Sequence, residues 1–489
     1  MSKEYMSVYN DSGRKRGDSD YCMVTADERD MLYVSGADMG LFEGEAISNA
    51  GETYKLCPLT VENSKVIREL FEFTRPKSYK GHDVTIGFGD RLGLASAGHI
   101  RLIRDLDVFP VLAQQSMREL NLTGRTYEDV LAAAVWAVFR EGYTKGYGAD
   151  GDHLKSHEEV RYALESGYTM ITLDCSEHIR NDLANAPVSE IGVQYASLPA
   201  DLTAALESRY LDRSFRLDGN ITIVFGKDEF MRTVLVYLPA IKHALSIYGK
   251  LLKGKDIDFE VSIDETLTST TPQSHFFVAN ELILQEVEIA GIAPRFVGEF
   301  QKGIDYRGDI KRFERDFDIH ARVAEKFGYR LSVHSGSDKF SVFPIVNKMT
   351  HGRYHLKTAG TNWLEAVRVI AMFKPSLYRD IHSFALENLA EARKYYHITC
   401  DLSNIADVNG VPDAELPEYL DKDDARQVLH ITYGLILQAK APDGSPRFRD
   451  RIYQALDEHE SDYFKALEKH IGRHLTSLGI EFGSAPKTK

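Results

Sequence analysis

Phe259-Glu260-Val261-Ser262-Ile263-Asp264 alternates apolar and polar side chains with a period of two, the period of a β-strand, whose successive side chains point to opposite faces. Phe259, Val261 and Ile263 form one face; Glu260, Ser262 and Asp264 form the other. Strands of a parallel sheet covered by helices are buried on both sides and normally read as unbroken apolar runs. A polar face here must therefore look into an interior that tolerates it. Three further segments break the rule in the same way. Phe296-Val297-Gly298-Glu299-Phe300-Gln301 places Glu299 and Gln301 on one side, Leu331-Ser332-Val333-His334 pairs Ser332 with His334, and Tyr354-His355-Leu356-Lys357 pairs His355 with Lys357. Burying such groups costs roughly several kcal/mol each unless they are paired, hydrogen-bonded or metal-bound. Four strands with this pattern point to one shared polar lumen.

Outward from these segments, strands and helices alternate. The spacing predicts strands at Val84–Gly89, Phe109–Ala113, a third leading into Gly146–Lys155, then Tyr168–Leu173, Asp258–Asp264, Arg295–Gln301, Tyr329–His334 and Tyr354–Thr358. Helices are expected near His99–Leu106, over Thr126–Gly142, from Ser156, and over Asp228–Leu252, Asp309–Phe327 and Trp363–Phe373. Thr126 can cap the second, with Asp129 in its first turn. Eight strands separated by helices are the count that closes a (β/α)8 TIM-type barrel of the α/β class, with its active site at the C-terminal ends of the strands. An open doubly wound sheet is the competitor, but no G-x-G-x-x-G opens a helix and no G-x-x-x-x-G-K-[ST] occurs. The expected organisation is an N-terminal α/β preface (1–80), the barrel (81–380) with an inserted lobe at about 181–219, and a helical extension (381–489) bracing one side. Within the preface, the first thirty residues read as loose, Leu32-Tyr33-Val34 as a strand and Ser64–Phe73 as a helix.

The 489 residues carry a net charge of −14 and are 43% hydrophobic, ample for a large core. The acidic balance disfavours nucleic acid and anionic membranes as partners, while a local positive pocket for a small acidic substrate stays compatible with it. Cys22, Cys57, Cys175 and Cys400 form no C-x-x-C pair, and no apolar run approaches the ~18–20 residues of a membrane span. With no secretory leader pattern at Met1, a cytoplasmic location is expected.

Gly146–Lys155 sets Asp152 and His153 among glycines, a carboxylate beside an imidazole. His334 ends a strand and is followed by the donor-rich Ser335-Gly336-Ser337-Asp338-Lys339. Two imidazoles plus an oxygen from Glu299 or Gln301, with positions left open, suit a catalytic divalent ion such as Zn²⁺, Mn²⁺, Co²⁺ or Ni²⁺. Lys302, Lys357 and the loop from Ser335 offer positive charge and donors to a substrate carboxylate; the plainer reading of each lysine is a solvated rim charge.

The runs GFGDRLGLASAGHIR from Gly87, PVLAQQSMRE from Pro110, GYGADGDHLK from Gly146, GEFQKGIDYRGDI from Gly298, HSGSDKFS from His334 and HLKTAGT from His355 resemble the tagaturonate epimerase family, which also includes tagatose/fructose 4-epimerases. The resemblance implies a metal-dependent barrel isomerase of hexuronate catabolism that interconverts D-tagaturonate and D-fructuronate. It further implies Asp152 as proton acceptor, Glu260 as proton donor, and His153 and His334 as metal ligands. The third metal position lies in GEFQKG, where Gln301 is favoured. The family often has an acid there, so Glu299 stays in contention. Ser335 and Lys357 are the expected substrate contacts. The inverted carbon is β to the ketone, so its C–H proton is not acidified, and retro-aldol cleavage followed by re-addition is the expected route. Rival readings are a ketohexose 4-epimerase, a metal-dependent aldolase or isomerase on the same barrel, and a non-catalytic sugar-acid binding protein. The oligomeric state is left open, a homo-oligomer included.

Overall fold

The computed structural model describes residues 6–49, 51–218 and 220–482. Val84–Gly87, Phe109–Ser116, Gly148–Leu154, Met170–Asp174, Asp258–Ile263, Gly291–Pro294, Arg330–Val333 and Tyr354–Lys357 form a closed barrel in chain order. Every neighbouring pair is parallel, and the eighth strand closes on the first, with Tyr354 opposite Val84 and Lys357 opposite Gly87. The chain therefore folds as a (β/α)8 barrel. Its helices begin where the sequence supplies caps: Thr126 with Asp129, and Ser156 with Glu159, each form a reciprocal capping box. A helix at Pro272–Leu284, not foreseen, separates the fifth and sixth strands.

The alternation in Asp258–Ile263 has the expected result. Phe259, Val261 and Ile263 join the apolar core, while Glu260 and Ser262 are also fully buried. Gly291 lies opposite Glu260 in the register. A Cβ there would sit 2.8 Å from Glu260 Oε2, so the glycine leaves room for the carboxylate. The lower end of the barrel is plugged. Tyr79 stacks on His355 with ring centres 6.0 Å apart and under the Arg330 guanidinium at 4.6 Å. Asp258 accepts from Ser78 Oγ and the Tyr79 amide, both at 2.7 Å. The site must open at the other end.

Two expectations are corrected. The sixth strand is Gly291–Pro294 rather than Arg295–Gln301. Pro294 lacks an amide to extend the ladder, and Gly298 turns the chain with φ +84°, so Glu299 and Gln301 lie in the loop beyond the strand. Residues 6–30 are not loose: Ser7–Val8, Arg14–Arg16, Ser19–Ala26, Arg29–Ser35, Glu45–Asn49 and Glu52–Pro58 form a six-stranded antiparallel sheet. Its two-residue turns use Gly17-Asp18 and Asp27-Glu28. Asp27 and Glu28 adopt φ of +49° and +61°, and this pair is a weaker hairpin signal than Asp-Gly. Tyr21, Met23 and Leu32 bury on the barrel side of the sheet. The following helix is Val61–Leu70, capped by Thr60.

Between the fourth strand and the long helix Lys227–Ile247 come helices Val188–Ala196 and Ala200–Tyr210 and a hairpin of Ser214–Asp218 with Ile221–Val224. Gly219, the end of the expected lobe, lies outside the described residues, as do 1–5 and 483–489. Among the described residues no helix is long and apolar enough to cross a membrane.

The C-terminal helices Asp423–Ile431 and Glu460–Ser477 reach the barrel through Asp338, which holds φ +62° in the loop after the seventh strand. Asp338 accepts from Arg426 Nη2 at 2.7 Å and His470 Nε2 at 2.5 Å, and its own amide donates to His474 Nε2 at 2.9 Å. Lys339, fully buried beside it, donates to the Gln301, Ile304 and Ser337 carbonyls at 2.8, 2.6 and 2.8 Å. Removing one partner of a buried ion pair strands the other. Asp338→Ala is expected to lower the unfolding free energy by about 3–5 kcal/mol, measured by urea denaturation; a loss under about 1 kcal/mol, the range of an exposed pair, would contradict the clasp.

Candidate active site

A cavity of about 400 Å³ opens at the C-terminal ends of the strands, within the range of small-molecule sites. Asp152, His153, Asp264, His334 and Lys357 line its floor. Each arrives from a strand or its immediate end, which fixes position more tightly than a free loop would. His153 sits near the end of the third strand with φ +53°, and Ser335, next to His334, has φ +51°. Left-handed backbone at non-glycine residues costs about 1–3 kcal/mol each and persists where surrounding structure enforces it. Here it turns two imidazoles toward one point.

The His153 and His334 ring centres are 4.8 Å apart, tilted by 55°. His153 Nδ1 is 2.8 Å from Asp152 Oδ1, which leaves Nε2 to face outward. His334 Nε2 is 2.7 Å from Glu260 Oε1. Its Nδ1 lies 3.2 Å from Asp264 Oδ2 and forms no well-aligned hydrogen bond. One donor atom each from His153, Asp264 and His334 fall within 4.8 Å of one another. Two nitrogens and an oxygen at that spacing, each imidazole backed by a carboxylate on its other nitrogen, match the outer-shell pattern of metal-binding histidines.

Beneath them, Lys357 Nζ lies 3.0 Å from Asp150, 2.6 Å from Asp152 and 3.2 Å from Glu260, and donates to Thr172 Oγ1 at 2.6 Å. It is a buried keystone, not a solvated rim charge. Three carboxylates thus face a single lysine, and Asp264 adds a fourth carboxylate to the floor. Burial opposes charge on every one of these groups. Even so, Asp152 beside His153 and Lys357, and Glu260 beside Lys357 and His334, are held well below the usual carboxylate range. Burial would lower His153, yet Asp152 beside it pushes it up to about 10, and Asp264 likewise raises His334. The upward shifts of both imidazoles answer excess negative charge, so the donor set fits a cation.

The other expected residues are placed as follows. Glu260 is fully buried, under His334 and outside the cavity lining; its Oε2 has no hydrogen-bond partner. Gln301 lines the cavity, and its Oε1 accepts from the Thr399 amide and hydroxyl, both at 3.0 Å, and from Gln427 Nε2 at 2.9 Å. Its amide nitrogen donates to Glu299. Ser335 also lines the cavity and accepts from Lys302 Nζ at 2.9 Å. The lining residues outside the expected set include Asp264, Arg91 and His430. Asp264 shares the polar face of the quoted strand, the signal that could have placed it. His430 comes from the helix Asp423–Ile431, where a lone histidine reads as core packing.

The model of the tagaturonate epimerase family matches residues 9–478. The chain belongs to the tagaturonate epimerase family. A tagaturonate/fructuronate epimerase of Thermotoga maritima is 40% identical over 476 residues, covering 96% of both chains. The native crystal structure of a fructuronate-tagaturonate epimerase from Cohnella laeviribosi is 51% identical with a TM-score of 0.95, covering 98% of this chain and 97% of that one. A glycerol complex of the same protein also gives 0.95 at 51% identity, covering 97% of each. In this member of the tagaturonate epimerase family, the motifs Gly146–Lys155 and His334–Ser341 are the ones that meet across the cavity floor.

Proposed function

We propose that this protein is an epimerase that interconverts D-tagaturonate and D-fructuronate by retro-aldol cleavage and re-addition. The observation that carries the reading is the convergence of His153, His334 and Asp264 above the Asp152–Lys357–Glu260 cluster. His153 Nε2, His334 Nδ1 and Asp264 would hold a divalent cation, with Gln301 supporting the neighbouring loop. Bound there, the cation would supply Lewis acidity to the keto group and lower the barrier to cleavage.

Asp152 lines the cavity, and its Oδ1 is already engaged by Lys357 and His153. Its other oxygen takes the proton from the hydroxyl on the inverted carbon. The bond from that carbon to its α-neighbour breaks, and the electron pair passes to the ketone fragment as an enediolate. The aldehyde fragment turns, and the enediolate attacks its other face. The alkoxide so formed is protonated by Lys357, which lines the cavity and takes its replacement proton from Asp152, 2.6 Å away and protonated in the cleavage step. In the reverse direction the same groups exchange roles. The test is to incubate the metal-loaded protein with D-tagaturonate in deuterated water. Fructuronate free of deuterium at the inverted carbon is expected, and EDTA abolishes turnover while the circular dichroism persists. Deuterium at that carbon would replace retro-aldol chemistry with direct deprotonation, and turnover of tagatose alone would move the substrate to the ketohexoses.

A further inference from the structure

The cavity floor is anionic, but one wall is not. Arg91, Arg118, Lys302 and His430 line that wall. Arg91, 3% exposed, gives Nε and Nη2 to Glu119 Oε1 at 3.2 and 3.0 Å, and its guanidinium lies 3.8 Å from the centre of the Tyr433 ring. Its Nη1 is buried with no hydrogen-bond partner among the described residues. His430 is 2% exposed, and both its ring nitrogens are likewise buried and unpartnered. Burial, with Arg91 and Lys302 adding to it, holds His430 well below its ordinary pKa, so the ring is neutral and offers one donor and one acceptor. Its position is set by the backbone beneath: a Cβ on Gly360 would lie 2.1 Å from His430 Cε1. Lys302 reaches Ser335 Oγ and forms no ion pair among the described residues. Lys357, by contrast, is already in contact with three carboxylates.

Unsatisfied buried donors cost about 1–3 kcal/mol apiece, and Arg91 Nη1 and the His430 ring, beside a lysine that forms no ion pair among the described residues, call for an anionic ligand group. We propose that Arg91 Nη1, Lys302 Nζ and His430 form the subsite for the terminal carboxylate of the keto-uronate. The inference rests on the epimerase reading of the floor. It gives that chemistry something it needs. Retro-aldol cleavage leaves the carboxylate on the aldehyde fragment, the piece that must present its other face. Anchored at the carboxylate, the aldehyde turns about the adjoining carbon–carbon bond without leaving the cavity. The subsite therefore selects keto-uronate over ketohexose and retains the mobile fragment.

The experiment compares metal-loaded wild type, Lys302→Met and Lys302→Arg on D-tagaturonate and on D-tagatose, which carries a hydroxymethyl group in place of the carboxylate. Lys302→Met is expected to raise KM for tagaturonate about 10–100-fold, the weight of a charge-assisted hydrogen bond. The kcat/KM ratio shifts toward tagatose by a similar factor, and Lys302→Arg recovers most of the loss. Where wild-type tagatose turnover is below detection, the split between KM and kcat on tagaturonate is the readout. Equal losses on both substrates, or an unchanged KM for tagaturonate, would overturn the subsite. Circular dichroism and metal affinity matching wild type exclude misfolding as the cause. A wild-type protein that binds metal yet leaves tagaturonate unchanged would instead overturn the epimerase reading, and the subsite with it.

Discussion

His334→Ala is expected to lower kcat/KM for tagaturonate by about 10³-fold or more, the ~4 kcal/mol or more that a Lewis-acid ion contributes to stabilising developing charge. His334 is the one side chain on the floor that touches both carboxylates of the fifth-strand face, with Nε2 on Glu260 and Nδ1 facing Asp264. Its loss would strand Glu260, whose Oε2 is already unpartnered, so some destabilisation is expected as well. His334→Gln separates the two effects, because an amide can still donate to Glu260 while serving poorly as a ligand. Metal content by elemental analysis should fall for both variants, and the melting temperature should fall mainly for alanine. A fully active His334→Gln protein that no longer retains metal would remove the ion from the account.

Asp152→Asn is the second large effect. A positioned general base contributes about 10²–10⁴-fold, and kcat should fall within that range. Asp152 also holds His153 Nδ1 at 2.8 Å, so metal affinity should weaken too, by about 10–100-fold as for other outer-shell carboxylates. Saturating metal distinguishes the roles. If Asp152 removes the substrate proton, added metal restores occupancy and leaves kcat low. If Asp152 only orients His153, added metal returns kcat to near the wild-type value. Asparagine still accepts from Lys357 and His153, so the fold should hold, which circular dichroism checks.

The barrel was legible because the first, second, fourth, fifth and seventh strands read as apolar or alternating runs between helices, and because the third and eighth run straight into glycine- and lysine-bearing loops. The sixth was misplaced by three apolar or aromatic side chains in 295–301, Phe296, Val297 and Phe300, a run that resembles a strand although the ladder ends at Pro294 and Gly298 turns left-handed. The N-terminal sheet was missed for a related reason. Its alternation in Ser19–Ala26 is diluted by Asp20 and Thr25, and the turn to the next strand rests on positive φ at Asp27 and Glu28 rather than at glycine. On the floor, His153 and His334 stood out as imidazoles at strand ends. Asp264 was visible on the same face but competed with Glu299 and Gln301, whose neighbours suggested a strand that does not exist. Nothing in the sequence announces that Lys357 is buried among three carboxylates. Nor does it announce that His430, more than a hundred residues past Lys302, shares a wall with it, since both facts depend on how the C-terminal helices cross the barrel mouth.

Crystals grown with Mn²⁺ and measured for anomalous scattering test the central claim most directly. One strong peak is expected within coordination distance of His153 Nε2, His334 Nδ1 and an Asp264 oxygen, with Lys357 still on Asp150, Asp152 and Glu260 below it. A peak elsewhere, or no peak while the protein remains active with EDTA present, would contradict it.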